Sequence, residues 1–586
     1  MTKQLCPLIF SAVALASAAL AAPAAKPEDK VVELPPLTIE ETVTTPWWFA
    51  SVGEAEILSR LPEEVTRQLI RRQYRLHALL QLLIPSSLQV RRELPRLYVF
   101  YNAQNQPAVN RDMVAQIEAQ EKAAGTTEDA TGKLHVGFMP NFRFWDEDSL
   151  GIFFVVDPNA QDREDISLSA GYVRYLMTAR APAAPGWFIE GVMTLYNNAE
   201  LSVPPLKSPL DIMAATQLLE APRNDRDEFT LQPLDASAFA ATGPRGTYAP
   251  LPPLAALLGT AGAPGATPEQ LRATAALFVR WALDPGRKSP RRGQLEEQPR
   301  VDGVPARTVA LWKYTERASR QHVDEAWFQD CFGLDYAAAT QVLQAYLPAA
   351  ARDTLVLRAA QPVKVPDYVL REATPLEVSQ VRGEITRLEI DYVRELLPSL
   401  VEPYLAQARR TLRRAYDLGE RAPRLLASMG LCEVDARDDA AALPFLRAAA
   451  DGGVRRAMAW YHLARIEFDQ LTARKAGVAP KREELKDILA HLGTAREQSP
   501  ALLEVYELYA KIWTAAELPL TRNATTLFYA GVQQFPQRPR MLYAVAALFT
   551  QHGRHEEAAP LVARGLALAT TPAQHERFKR LLPAAP

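Results

Sequence analysis

Apolar positions in the first part of the chain follow a helical spacing and then a strand-like one. Between residues 62 and 83 they recur every three to four positions, which predicts an amphipathic helix. Three strand-like runs follow at residues 96–101, 134–138 and 151–156. The last of these is apolar from Ile152 to its end, as in a strand buried on both faces. These patterns predict a small sheet with helices beside it.

Two further helix-like stretches lie on either side of a Pro/Ala turn within residues 169–196. Later helices are predicted at residues 267–283, 308–317 and 323–347. The segment 284–307 is charged and rich in proline and glycine, which is typical of a solvated loop. The first part of the chain therefore indicates an α+β fold.

Beyond about residue 380 the pattern changes to consecutive amphipathic helices with short polar breaks. Gly430, Ala464, Ala510 and Ala546 take equivalent places in it, with spacings of 34, 46 and 36 residues. Small residues recur where paired helices must approach closely, and the first spacing is the period of tetratricopeptide repeats. Residues 403–571 therefore resemble a tetratricopeptide array of four units, an all-α architecture.

The length of 586 residues suits roughly two to four domains. We predict a signal peptide at 1–21, an extended arm at 22–46, an α+β domain at 47–200, the mainly helical second half of that domain at 201–358, a linker at 359–380 and helical repeats at 381–586. The linker is inferred from Pro362, Pro366 and Pro375, which interrupt regular structure.

The N-terminal segment predicts export. Residues 5–20 are apolar with small side chains, and Ala19-Leu20-Ala21 fits the small-x-small rule for signal cleavage. We therefore expect a periplasmic or secreted protein, with the signal either cleaved or retained as an anchor. No later segment has the length and apolarity of a membrane-spanning helix.

Composition narrows the partners and the cysteine chemistry. The formal net charge of -2 gives no reason to expect nucleic acid or an anionic membrane as a partner. Beyond the predicted signal, Cys331 and Cys432 are far apart and form no Cys-x-x-Cys motif. We expect both to be small buried apolar side chains.

Familiar catalytic motifs are missing from the sequence. None of the eight histidines belongs to a His-Glu-x-x-His motif, and the two His-Glu pairs near the C-terminus lack the second histidine. There is no Gly-x-Ser-x-Gly elbow and no phosphate-binding loop. The residue types therefore point to no standard reaction.

Residues 169–196 nevertheless resemble the metal-binding helices of a known family. Residues 170–174, Ala-Gly-Tyr-Val-Arg, stand where peptidase MA-like (gluzincin) domains have His-Glu-Tyr-x-His. Residues 187–191, Trp-Phe-Ile-Glu-Gly, resemble their Trp-Leu-x-Glu-Gly motif, and the segments 277–281 and 327–335 are similar to their later helices. The resemblance covers about residues 47 to 350 and implies a zincin-like α+β fold.

The resemblance also implies that the family's chemistry is lost. By position, Ala170 and Arg174 replace the two zinc-binding histidines and Gly171 replaces the catalytic glutamate, whereas Glu190 matches the third zinc ligand. One carboxylate cannot hold a zinc ion that takes three protein ligands, and no general base remains to activate water. We therefore expect no metal, no cofactor and no peptide hydrolysis by the family mechanism.

Arg174 and Glu190 carry a separate hypothesis. The Arg174 guanidinium would bind Glu190 and replace the metal as the clamp between the two helices. Alternatively, Glu190 lies near a helix N-terminus, where negative charge is favoured. Tyr172 and Trp187 are the further side chains expected in the former cleft.

Three functions stay open from the sequence. The first is protein or peptide binding by the repeats, because such arrays present an extended concave surface. The second is a metal-dependent peptidase or other hydrolase in which two of His77, His135 and His322 converge near Glu190. The third is a structural helper in cell-envelope assembly, which predicts a concave repeat face without aromatic or charged clusters.

Overall fold

The computed structural model describes residues 46–123, 141–156, 168–202, 228–239, 248–258, 265–288, 290–291, 294–359, 361–475 and 477–582. The predicted signal peptide, the arm up to residue 45 and the predicted strand at 134–138 lie outside these ranges. Within them, no helix combines the length and the apolarity needed to cross a membrane.

Eleven strands form three sheets in the described ranges. They are β1 (Trp48–Val52), β2 (Ala55–Ser59), β3 (Arg96–Asn102), β4 (Asn141–Trp145), β5 (Leu150–Val156), β6 (Ala199–Ser202), β7 (Glu228–Leu231), β8 (Arg300–Val301), β9 (Val304–Pro305), β10 (Leu355–Arg358) and β11 (Arg371–Glu372). The largest sheet has the order β11-β1-β2-β3-β5-β4, the second β10-β7-β6, and β8 pairs with β9. In the largest sheet β3 runs parallel to both of its neighbours, β2 and β5.

The interior strand β5, next to the edge strand β4, is buried on both faces, as its sequence predicts. Ile152 and Phe154 contribute to one apolar cluster, whereas Phe153 and Val155 contribute to another on the opposite face. All seven residues of the strand are buried. The predicted strand at 96–101 is likewise confirmed, as β3.

Nine helices accompany the strands in the described residues up to 350. They are α1 (Glu63–Leu80), α2 (Ala108–Ala123), α3 (Ala170–Thr178), α4 (Gly186–Asn197), α5 (Leu254–Leu258), α6 (Pro268–Leu283), α7 (Ala306–Arg320), α8 (Glu325–Phe332) and α9 (Tyr336–Ala350). Helices α1, α3, α4 and α6 share one apolar cluster with one face of the large sheet. This half of the chain is thus α+β, and its zincin-like character stays a prediction.

Local sequence explains where several of these helices begin. At the start of α6, the Thr267 side chain accepts from the backbone N–H of Gln270, and the Gln270 side chain accepts from that of Thr267. This capping box satisfies two amide groups that have no partner within the helix. The predicted helices at 62–83 and 267–283 are confirmed as α1 and α6.

The prediction of one helix at 323–347 is wrong, because two helices, α8 and α9, occupy that stretch. Gly333 ends α8 in the left-handed conformation, with φ of 70°. Glycine adopts this conformation without steric cost, so the chain turns there. The Asp335 side chain then accepts from the N–H of Ala338 and caps the start of α9.

Eleven helices make up the described C-terminal part. They are α10 (Pro375–Leu396), α11 (Val401–Asp417), α12 (Pro423–Asp435), α13 (Asp439–Asp451), α14 (Ala457–Lys475), α15 (Lys486–Glu497), α16 (Leu503–Ala515), α17 (Arg522–Gln534), α18 (Pro539–Gln551), α19 (His555–Leu568) and α20 (Pro572–Lys579). Successive helices pack as hairpins, and the first helix of each pair also contacts the first helix of the next. The predicted tetratricopeptide-like helical array is therefore confirmed.

The small residues that revealed the repeat lie where its helices are closest. Gly430, Ala464, Ala510 and Ala546 belong to α12, α14, α16 and α18, the first helices of successive pairs, and all four are buried. At Gly430 an added Cβ would lie 2.8 Å from Cδ2 of Leu446 on the paired helix α13. Close approach of the paired helices leaves no room there for a larger side chain.

The two cysteines in the described ranges are free thiols. Cys432 is buried in α12, and burial raises the pKa of its thiol to about 12. Cys331 in α8 is partly buried. Cys432 thus matches the expectation of a buried apolar side chain, whereas Cys331 is buried only in part.

Helix α10 joins the array to the sheet. Its side chains Val381, Ile385 and Leu388 pack on the sheet face that carries Val99 and Phe153. Gly151 in β5 permits this contact, because a Cβ there would lie 2.4 Å from Cγ1 of Ile385. The stretch predicted as a linker, 359–380, contains β11 and the first turns of α10.

A buried ionic network fixes the array on the sheet. Arg456, just before α14, donates to Glu384 of α10 at 2.6 and 3.0 Å and to Asp148 of the β4–β5 turn at 3.3 Å. Arg387 of α10 donates to Glu384 at 2.7 Å and to Asp435 of α12 at 2.9 Å. Asp146, which Arg387 contacts, and Ser428, which binds Arg456 and Glu384, complete the network.

The charges in this network are strongly coupled. Burial alone would raise the pKa of Glu384, but Arg387 and Arg456 hold it well below its usual range. Burial raises the pKa of Asp148 and that of Asp435 to about 6 each. Glu384 is thus the carboxylate that both guanidinium groups stabilise most.

We expect Glu384→Ala to lower the free energy of unfolding by about 3–5 kcal/mol, because it leaves two buried guanidinium groups without their shared carboxylate. Denaturant unfolding followed by circular dichroism measures the change. Asp417→Ala is the matched control: its partner Arg413 lies 3.5 Å away, and the two side chains are 63% and 65% exposed. That variant should lose less than about 1 kcal/mol. Equal losses of unfolding free energy in both variants would contradict the proposed contribution of the network to stability.

Candidate functional site

The helix pair predicted from the sequence is present as α3 and α4. Helix α3 begins after Ser169, whose hydroxyl accepts from the N–H of Tyr172 at 3.3 Å. Helix α4 begins after Pro185. It packs so closely on α6 that a Cβ at Gly191 would lie 2.8 Å from the Ala275 carbonyl oxygen. The two helices contact each other and form one side of the α+β core.

Arg174 and Glu190 meet between these helices. Arg174 Nη1 donates to Glu190 Oε1 at 2.8 Å, so the predicted contact is confirmed. The two side chains are however 44% and 38% exposed, so the pair is open to solvent. An exposed pair of this kind contributes about 0–1 kcal/mol. Its role as a substitute for a metal clamp stays a prediction.

A second guanidinium lies against Gly171, the position that the resemblance assigns to the catalytic glutamate. Arg143 of β4 fills this space, so that a Cβ at Gly171 would lie 2.0 Å from Arg143 Nη2. Arg143 Nη1 donates to Ser169 at 3.2 Å, and its guanidinium lies 5.1 Å from the Trp145 ring centre. The absence of a side chain at Gly171 therefore leaves room for the Arg143 guanidinium beside α3.

The surroundings of α3 are rich in positive charge. Besides Arg143 and Arg174, Arg92 packs its guanidinium 4.8 Å from the ring centre of Tyr175. Burial lowers the pKa of Arg92 to about 10, so it stays charged at neutral pH, and within the described ranges its three nitrogens have no hydrogen-bond partner. Three guanidinium groups thus lie around α3, and that of Arg174 is the one in contact with Glu190.

The other two predicted cleft residues lie in the core. Tyr172 is buried, with its ring 5.4 Å from that of His77. Trp187 packs 5.6 Å from Phe278 and 6.1 Å from Tyr314. Both side chains therefore contribute to packing of the α+β half, away from the contact that Arg174 makes.

The histidines considered as replacement ligands do not gather near Glu190 as far as the structure describes them. His77 lies between Arg96 and Tyr98, at 2.9 and 2.5 Å. His322 is exposed after α7, and His135 falls outside the described ranges. In those ranges no group of three or more His, Cys, Asp or Glu side chains is arranged to hold a metal ion.

The inner face of the repeat array forms a second candidate site. A groove of about 290 Å³ lies between α16, α18 and α20; it is lined by Glu507, Pro539, Arg540, Tyr543, Ala544, Gln574, Arg577 and Phe578. Arg540 donates to Glu507 at 2.5 Å. The Tyr543 ring lies 5.6 Å from that of Phe578, which closes the far end of the groove.

Charged and aromatic side chains continue along the same face towards α14. Burial, together with the nearby Glu504, raises the pKa of Tyr461 to about 12. Lys511 Nζ lies 2.9 Å from Asp469 Oδ1 and links α16 to α14. The concave face thus has the aromatic and charged clusters that the structural-helper hypothesis predicts to be missing.

The sequence analysis missed these groove residues, although the repeat register contains a signal for them. Tyr461, Glu507 and Tyr543 each lie three positions before a small residue of the repeat, and Ala427 is their equivalent in the first pair. Glu507 and Tyr543 line the groove, and Glu507 is close enough to Tyr461 to raise its pKa, so the three positions lie on one face. Ala427 is fully buried and belongs to the apolar core of the array.

Comparison with known proteins gives only remote structural likenesses. The tetratricopeptide protein YrrB, described as having an unusual peptide-binding site, shares 17% identity over 36% of this chain and 98% of its own, with a TM-score of 0.26. MamA shares 13% identity over 33% of this chain and 96% of its own, with a TM-score of 0.24. Pseudomonas aeruginosa PilF shares 15% identity over 34% of this chain and 84% of its own, with a TM-score of 0.26. No family model and no curated protein sequence matches the chain.

A double-mutant cycle tests the clamp between α3 and α4. We expect Arg174→Ala and Glu190→Ala to show a coupling energy below about 1 kcal/mol, because both side chains are partly exposed. Arg180→Ala is the comparison: Arg180 is buried and donates to the carbonyls of Ser87 and Pro182 at 3.0 and 2.7 Å. It should destabilise more than Arg174→Ala in thermal unfolding. A coupling of 3 kcal/mol or so would restore Arg174 and Glu190 as the clamp.

Proposed function

We propose that this protein is a non-hydrolytic scaffold that binds a peptide or protein segment in the inner groove of its helical array. The observation that carries the proposal is the cluster of Tyr543, Arg540 and Arg577 around an apolar floor. Tyrosine and arginine are enriched among the residues that dominate binding energy, and concave repeat faces suit extended ligands.

The distribution of charge along the inner face supports a polypeptide ligand. Arg540 and Arg577 line the groove together with Glu507, and Lys511 is paired with Asp469 towards α14. An extended segment that follows the face would therefore meet charges of both signs, and complementary side chains would set its register. The Arg540–Glu507 pair is at the rim, where exchange with a ligand carboxylate leaves little uncompensated charge.

We further propose that the α+β half is a peptidase-like domain without peptidase activity. Of the four groups that the family mechanism uses, Glu190 alone is kept; Arg174 contacts it, and Arg143 lies against Gly171. Export, inferred from residues 1–21, would place the groove in the periplasm or outside the cell. Fractionation of cells that express the full chain tests this location.

Groove variants test the binding function. A peptide selected on the full-length protein from a random display library should bind at least about 30-fold more weakly to Tyr543→Ala, as expected for a central contact worth about 2 kcal/mol. Fluorescence anisotropy measures the dissociation constants. Tyr529→Ala is the matched control, since Tyr529 is a 36% exposed tyrosine on α17, a second helix of its pair.

The two tyrosine variants separate binding in the groove from binding elsewhere. Unchanged affinity for Tyr529→Ala with a loss for Tyr543→Ala supports the groove. Equal affinities in both variants would show that selected peptides use another surface.

Restoring the motif tests the peptidase-like interpretation. Ala170→His, Gly171→Glu and Arg174→His rebuild the motif, and Arg143→Ala clears the space beside position 171. With Glu190 as third ligand, this variant should bind about one zinc ion per chain, measured by metal analysis after dialysis. The control keeps Arg174 and so lacks one ligand. If the variant with all four substitutions folds but binds no more zinc than the control, a zincin-like geometry is refuted.

Metal analysis of the unchanged protein tests the hydrolase alternative. We expect no stoichiometric zinc. Stoichiometric zinc that is lost on Glu190→Ala would favour a hydrolase with replacement ligands.

A further inference from the structure

A large cavity lies under α1, separate from the array groove, and Tyr172 and Leu176 of α3 form part of its wall. Its volume is about 880 Å³, within the range of small-molecule sites. Much of its wall is apolar and buried, formed by Val52, Ile57, Ile70, Phe100, Leu150 and Leu176. The segment that follows α1, residues 86–96, forms its other side.

Four polar side chains form one end of this cavity. Arg96 Nη1 lies 2.9 Å from His77 Nδ1 and 3.5 Å from the hydroxyl of Tyr172. His77 Nε2 lies 2.5 Å from the hydroxyl of Tyr98. All four residues line the cavity. The guanidinium of Arg96 is therefore held in place from one side by side chains that carry no negative charge.

The direction of these hydrogen bonds follows from the chemistry of each group. A guanidinium only donates, so His77 Nδ1 accepts from Arg96. Burial holds the pKa of His77 well below its usual range, so the ring is neutral and its hydrogen is on Nε2, which donates to Tyr98. The hydroxyl hydrogens of Tyr98 and Tyr172 then have no acceptor in the described ranges.

Negative charge is scarce at this end. The carboxylate nearest to Arg96 is that of Glu54, 3.9 Å from Nη2 and on a side chain that is 91% exposed. By contrast, Arg387 and Arg456 are surrounded by buried carboxylates. Arg96 and two tyrosine hydroxyls thus offer donors to the cavity without a matching internal acceptor.

We propose that this cavity binds a small organic carboxylate with an apolar body, whose carboxylate is bound by Arg96 and the hydroxyls of Tyr98 and Tyr172. The apolar walls accommodate the hydrocarbon part, and a guanidinium matches a carboxylate in two-pronged geometry. Three arginines and two glutamates line the cavity, and one of the glutamates, Glu93, is already paired with Arg455 outside the lining. The unbalanced positive charge favours an anion, and a carboxylate with a hydrocarbon body also uses the apolar walls, from which a phosphate would gain nothing.

Isothermal titration of the full-length protein with decanoate tests the proposal. We expect one site per chain and an at least tenfold weaker interaction with 1-decanol, which lacks the charge. Arg96→Met should weaken decanoate binding at least 30-fold. Glu54→Gln should tighten it about threefold, because it removes the anion that competes for Arg96. Glu118→Gln, an exposed glutamate on α2, should leave the affinity unchanged.

The Glu54 side chain is 91% exposed, so Glu54→Gln should fold normally. The test therefore stays decisive even if Arg96→Met fails to fold. Tightening in Glu54→Gln, with no change in Glu118→Gln, supports the site. Absence of decanoate binding, equal affinity for 1-decanol, or identical affinities in the two glutamate variants overturns it. Tyr543→Ala should leave decanoate binding unchanged, so this site and the array groove succeed or fail separately.

Discussion

Glu384 is an acidic side chain on a part of α10 that has no solvent face, and two guanidinium groups hold it there. Arg387 comes from the same helix and Arg456 from the start of α14, while Asp148 reaches in from the sheet. Ionised groups are expensive to bury and remain buried only when their partners are correctly placed. Three parts of the fold must therefore assemble together, which makes the sheet half and the array one cooperative structure.

The side chain at one repeat position changes along the array. The first helix pair contacts the sheet half through Arg424 and Glu56, and it has the small Ala427, which is buried in the array core, at this position. Later pairs have Tyr461 and Tyr543 at the equivalent place. Tyr543 lines the groove, so the larger side chains occur where the array offers a surface for a ligand.

The sequence patterns predicted those features of the fold that depend on residues close together in the chain. The apolar run of β5, the helical spacing of α1 and the small residues of the repeat all have short-range signatures. The start of α10 was missed because Pro375 was interpreted as a break, although proline is favoured in the first turn of a helix. The ionic network was not predictable in this way, because Arg456 and Asp148 are 308 positions apart. Contact between Arg174 and Glu190 was predicted from a family pattern, but its exposure depends on the surrounding packing.

Helix α10 has a consequence for how forces travel through the molecule. One side of it belongs to the sheet core and the other to the core of the first repeats, since Ile385 faces β5 while Leu412 of α11 packs against Gly383. A helix that is packed into two cores at once is a rigid connection and not a hinge. A force applied to a ligand in the distal groove would therefore be transmitted to the sheet through α10, and the backbone hydrogen bonds of this one helix would resist it.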